Sequence, residues 1–190
     1  MKKIKEIRWH ARAGQGAKTA ALLLAEAALK EGKYIQGFPE YGPEREGAPI
    51  KAFTRISDKP ILIHSDVANP DAVVILDFTL LDAVNVTEGL LPEGVILINT
   101  DTSPKKIREK LDLSHGKIFT VDATRISLEI LGRNLPNMPM LGALIKALPL
   151  LKFDTLLKSV KEKFEKKFGS RIVEGNISAI RKAYEEVKEE

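Results

Sequence analysis

The chain has 190 residues, 44% of them hydrophobic and 29% charged, with a formal net charge of +4. That length and balance fit one α/β domain over residues 1–190 with a proper core, and exclude a disordered chain. The absence of cysteine excludes disulfides, a thiolate nucleophile and a cysteine-held iron–sulfur cluster; His10, His64 and His115 are too scattered to suggest a metal site by spacing, though folding can still bring them together, and so small a charge gives no case for nucleic acid.

Ile4–Trp9 reads as a first strand, followed by the glycine-containing loop His10-Ala11-Arg12-Ala13-Gly14-Gln15-Gly16. Ala17–Lys30 is apolar almost all round, which marks a buried or partner-covered helix, and Gly32 stops it. Tyr34–Phe38 is a short second strand. It leads into a second loop rich in glycine and proline, Phe38 to Pro49. Lys51–Ser57 and Ile61–Ser65 flank Asp58-Lys59-Pro60 and are expected to form a hairpin. Val73–Asp77 and Val95–Thr100 are apolar runs of the kind buried on both faces of a sheet. A helix is expected around Leu80–Val86, and another over Ser103–Leu111 with Ser103 as cap and Pro104 at its first position.

Lys117–Val121 reads as a strand and Arg125–Leu131 as a helix. Beyond Arg133 the pattern is helical, broken at Asn137-Met138-Pro139-Met140 and resuming over Leu141–Leu148. Phe153–Phe168 and a last helix through Ile177, Ile180, Tyr184 and Val187 carry apolar stripes expected to pack on the sheet. The interleaved Lys161, Lys163, Lys166 and Lys167 read as a solvated helix face. Strand–helix alternation predicts a single doubly wound, mostly parallel but mixed sheet, with helices on both faces and a helical C-terminal region. No apolar run approaches the ~18 residues of a membrane span, and the start lacks the apolar core of a signal peptide, so a cytoplasmic location is expected.

A strand, a glycine-rich turn and a helix start form a place for an anion, because the first helical amides are free and the dipole favours negative charge. Gly14 and Gly16 let a ligand approach, Arg12 and Lys18 add positive charge, and Gln15 both donates and accepts. The glycines can equally serve only the turn. In the second loop, Phe38, Tyr41, Gly42, Glu44 and Arg45 either face a partner or ligand, or brace the first loop through an intrachain Glu–Arg contact. His10 reads as a structural hydrogen-bonding residue. Asp77, Asn99 and Asp122 end predicted strands, where they either contact ligand or cap the next element.

The residues Arg8, His10, Arg12, Gly14, Gln15 and Gly16, then Phe38, Pro39, Gly42, Glu44, Arg45, Gly47, Ala48 and Pro49, carry a resemblance. Together with Ile98-Asn99-Thr100, Val121-Asp122-Ala123-Thr124 and Asn137 to Ala143, they resemble the gamma subunit of the 2-oxoacid:ferredoxin oxidoreductases, most closely the pyruvate-acting members. Ala11 and Ala13 stand where that pattern has glycines. The resemblance implies a complex of alpha, beta, gamma and delta type subunits. That complex converts pyruvate, coenzyme A and oxidised ferredoxin to acetyl-coenzyme A, carbon dioxide and reduced ferredoxin. Thiamine diphosphate with Mg2+ and [4Fe-4S] clusters would do the chemistry on other subunits, with no catalytic residue and no metal on this chain. Its part would be to complete the assembly and shape the coenzyme A site. A free-standing nucleotide- or coenzyme A-binding protein and a purely structural subunit are the alternatives.

Overall fold

The computed structural model describes residues 4–40 and 47–190. β1 (Ile4–Arg12), α1 (Ala17–Leu29), β2 (Tyr34–Pro39) and β3 (Pro49–Ser57) come first. β4 (Ala72–Ile75), β5 (Val95–Asn99), α2 (Pro104–Leu111), β6 (Lys117–Val121) and α3 (Ala123–Leu131) follow. α4 (Asn137–Ala147), α5 (Phe153–Glu165), α6 (Ser170–Glu186) and the two-residue β7 (Lys188–Glu189) complete the chain.

All seven strands join one sheet in the order β2-β3-β1-β4-β5-β6-β7. β1, β4, β5 and β6 run parallel, whereas β3 is antiparallel to β1 and β2, and β7 to β6. The expected mixed, mostly parallel sheet is therefore the observed one. β4 and β5 are buried along their whole length, as continuous apolar runs covered on both faces must be. On one face Ile7, Trp9, Ala11, Val74, Leu97 and Phe119 join a large core with α1 and α4. On the other, Val73, Ile75, Ile96, Ile98 and Ile118 meet Leu80, Val86, Leu90 and Ile107, from a 3-10 turn, the loop after it and α2.

Four expectations need correction. Ile61–Ser65 is not a strand: both edges of β3 are already taken by β1 and β2, so no hairpin can form. The segment is instead tied by its carbonyls, Arg55 Nη2 donating to Ser65 O at 2.7 Å and Gln36 Nε2 to Ile63 O at 2.9 Å. The helix expected around Leu80–Val86 is a 3-10 turn over Phe78–Leu81 only. α4 starts at Asn137, because Pro139 falls in the first turn, where an amide has no intrahelical acceptor to lose. Finally, α5 and α6 pack mainly on α1, α3 and α4, forming an outer layer rather than lying on the sheet. α4 and α6 come so close that a Cβ at Gly142 would overlap the Ile180 carbonyl oxygen.

Candidate functional site

From β1 the chain turns away toward β2 and β3, and from β4 it proceeds to the opposite side of the sheet. Their following segments also part across the sheet, α1 to one face and the 3-10 turn to the other. Such a divergence opens a crevice at the carboxyl ends of the two strands, the usual ligand position in an open α/β sheet.

The first loop lines this crevice. Gly14 (φ 99°) and Gly16 (φ 82°) both take the left-handed backbone that favours glycine. Gly16 sits at the N-cap of α1, and no side chain caps the helix. The amides of the first turn thus keep their full pull on an anion. Behind the turn, Asn137 Nδ2 donates to Gly16 O at 3.3 Å, and any Cβ at position 16 would overlap the Asn137 side chain. Ala11 and Ala13 do not disturb the loop, since Asp112 alone among the described non-glycine residues has positive φ. Ala13 N donates to Ala48 O at 2.9 Å, so the two loops meet at this rim.

Arg12 and Gln15 are held by the protein itself. Arg12 Nε and Nη2 donate to Thr79 Oγ1 at 3.1 and 2.7 Å, and Nη1 donates to Gly47 O at 3.0 Å. Asp77 Oδ2 lies 3.7 Å from Arg12 Nε. Gln15 Oε1 accepts from Arg12 N at 2.8 Å, while Nε2 donates to Asp77 Oδ2 at 2.6 Å. Burial pushes the Asp77 carboxyl up, but hydrogen bonds from Thr79 and Gln15 and the Arg12 charge outweigh it, holding the group below its ordinary value. Lys18 is exposed and makes no ion pair among the described residues. Phe38 is pinned inward, 5.2 Å from Phe53 and with the Arg55 guanidinium 5.5 Å over its ring. Tyr41, Gly42, Glu44 and Arg45 lie outside the described residues.

Below the loop, His10 is buried and accepts from Arg8 Nε at 3.0 Å through Nε2. An arginine Nε can only donate, so this imidazole is neutral with its proton on Nδ1. Burial, then the Arg8 and Lys51 charges, push its pKa down to about 3. The structural reading of His10 fits this geometry. Asp77 and Asp122 cap the elements that follow them, accepting from Thr79 N at 3.0 Å and Arg125 N at 2.9 Å, whereas Asn99 does not cap α2 but ties β5 to α3, accepting from Thr124 N at 3.0 Å. Thr79, the Gly47 carbonyl and Asn137 were not anticipated as parts of the site. The spacing of Asp77 and Thr79, an Asp accepting from a residue two further on, was the local signal for the first.

Among the described residues no group of three or more His, Cys, Asp or Glu side chains is placed for a metal, and no helix is long and apolar enough to cross a membrane. A family model described as pyruvate ferredoxin/flavodoxin oxidoreductase matches residues 6–186. Pyruvate synthase subunit PorC of Thermotoga maritima is 49% identical over 187 residues, 98% of this chain and 96% of that one. The pyruvate/ketoisovalerate oxidoreductases common subunit gamma of Pyrococcus furiosus is 49% identical over 183 residues, 96% and 97% of the two chains. The crystal structure of the Thermotoga maritima subunit PORC superposes with a TM-score of 0.87 at 46% identity, over 99% of each chain. A 2-oxoglutarate:ferredoxin oxidoreductase from Magnetococcus marinus, solved with 2-oxoglutarate, coenzyme A and succinyl-CoA, shares the fold at 20% identity. Its TM-score is 0.76, and the match covers 96% of this chain and 31% of that one. The chain therefore belongs to the pyruvate ferredoxin/flavodoxin oxidoreductase family, as a gamma subunit of the 2-oxoacid:ferredoxin oxidoreductases.

Proposed function

We propose that this gamma subunit works in a cytoplasmic complex with alpha, beta and delta type partners. The complex takes pyruvate, coenzyme A and oxidised ferredoxin to acetyl-coenzyme A, carbon dioxide and reduced ferredoxin, and the start of α1 borders the path of coenzyme A. In this reading thiamine diphosphate with Mg2+ and the [4Fe-4S] clusters belong to the partners; for the clusters the support is that a chain without cysteine has no thiolates to hold one. The observation that carries this reading is the uncapped first turn of α1 beside the exposed Lys18, opening on the rim crevice. Phosphate groups of coenzyme A suit that combination of amides and a mobile cation. Arg12, with three donors already engaged, acts as a positioning residue that joins the loop to Thr79 and Gly47.

A second reading has its own support. Both ends of the Gln15 amide and the Arg12 guanidinium are engaged within the chain, which suits a purely structural turn. Steady-state kinetics of the reconstituted complex with coenzyme A varied decide between them. Lys18→Gln is expected to raise the Michaelis constant for coenzyme A about three- to tenfold, roughly the loss of one exposed charge-assisted contact. Arg12→Ala should raise it as well, with that for pyruvate little changed in either variant. An unchanged constant in both variants, with the complex intact, makes the loop structural.

A further inference from the structure

Away from the rim, the end of α3, the turn after it and the first two turns of α6 enclose a cleft of about 450 Å³. Ile130, Leu131, Leu135 and Ile172 give it an aliphatic part, beside Asn176, and Ile172 is 50% exposed. Gly175 forms part of the lining, where a Cβ would come 3.1 Å from Leu131 Cδ2. Leu128, on α3 one turn before Leu131, is also 50% exposed. Isolated exposed aliphatics need no explanation, but a group of them around a cleft does.

The unpaired charges at the mouth have one sign. Arg133 and Arg171 line the cleft, are exposed, and make no ion pair among the described residues. α6 begins here without a side-chain cap, adding the positive end of its dipole. Glu129 also lines the cleft, yet its carboxylate is already held by Arg125 Nη1 at 3.0 Å and Lys182 Nζ at 2.7 Å. An aliphatic slot between two uncommitted arginines complements an aliphatic side chain flanked by carboxylates. Arginine beside a desolvated apolar centre is also the composition of interface hot spots.

We propose that this cleft seats a sister subunit of the oxidoreductase, which inserts an aliphatic residue bordered by acidic ones. The proposal rests on the chain's being a subunit and not on the coenzyme A reading. The test compares the purified complex with the isolated chain. Amide exchange over 129–135 and 171–176 should slow on assembly. The double variant Arg133→Glu/Arg171→Glu should weaken retention of this chain in the complex by about tenfold or more, with Ile172→Asp acting in the same direction. Melting of the isolated variant chains should match the unmodified chain, since all three positions are exposed. Complex that still assembles should keep its Michaelis constant for coenzyme A, which separates this surface from the rim. Unchanged exchange, or full retention of both variants, overturns the proposal. So does self-association of the isolated chain that the variants abolish, because the occupant is then a second copy.

Discussion

Ile7, Trp9 and Ala11 point from β1 into the apolar layer beneath α1, whereas Glu6, Arg8, His10 and Arg12 point from the same strand to the opposite face. There Arg55 meets Glu6 at 2.9 Å in a buried ion pair. Arg8 Nη2 donates to the carbonyls of Val86 and Glu88, at 3.2 and 2.5 Å. Arg55 reaches the carbonyls of Ser65 and Asp66, and Arg12 that of Gly47. The difference follows from what covers each face. A helix satisfies its own carbonyls and needs only an apolar surface to rest on. Irregular segments leave carbonyls unpaired, and when they are buried some donor must supply them. Arg8 and Arg55 do so here, with long side chains and several donors each, while the Arg12 bond to Gly47 lies at the exposed rim.

The comparison can be broken first on the apolar side. Trp9 is fully buried, with Nε1 donating to Thr54 Oγ1 at 3.1 Å. Trp9→Ala is expected to cost about 3–5 kcal/mol in urea unfolding. A loss under ~1 kcal/mol would mean that α1 does not depend on this face.

The polar side should reveal itself through pH. His10 has a folded pKa near 3, against about 6.5 unfolded, so on acidification the unfolded chain takes the proton first. Its contribution is complete above pH ~6.5. Below that, stability should fall by about 1.4 kcal/mol per pH unit toward pH ~4. His10→Gln, whose carbonyl can still accept from Arg8, should flatten that part of the slope. An unaltered slope would place the pH dependence elsewhere.

The smallest effect belongs to the rim end of the polar face. The Arg12 side chain is 33% exposed, so Arg12→Ala should cost only about 1 kcal/mol in unfolding. A loss comparable to that of Trp9→Ala would make the rim network part of the core's stability rather than a local brace.

Much of the fold is legible in the sequence where one segment decides its own fate. β4, β5 and β6 show as apolar runs, and the Ser103-Pro104 start of α2 shows locally. Ile61-Leu62-Ile63 looks no different from a strand, yet Leu62 is 83% exposed. Only the pairing of β3 with β1 and β2, set by residues tens of positions away, denies it a partner. β7 is two charged residues, with nothing in its pattern to predict it. The glycines of the candidate site and its nearby cations were legible for similar reasons. That Arg12 and Gln15 spend their hydrogen bonds on Thr79, Gly47 and Asp77 was not, because those partners arrive from other strands and loops.

The two ends of the sheet have a further consequence. At one, β7 presents only Lys188 and Glu189, with Glu190 tied to Arg108. At the other, β2 ends in Pro39, which has no amide to offer, and includes Gly37. Charged, very short or proline-bearing margins discourage a neighbouring chain from extending the ladder. A molecule built this way cannot polymerise readily through its backbone. It is left to associate through side chains on its rim and helices.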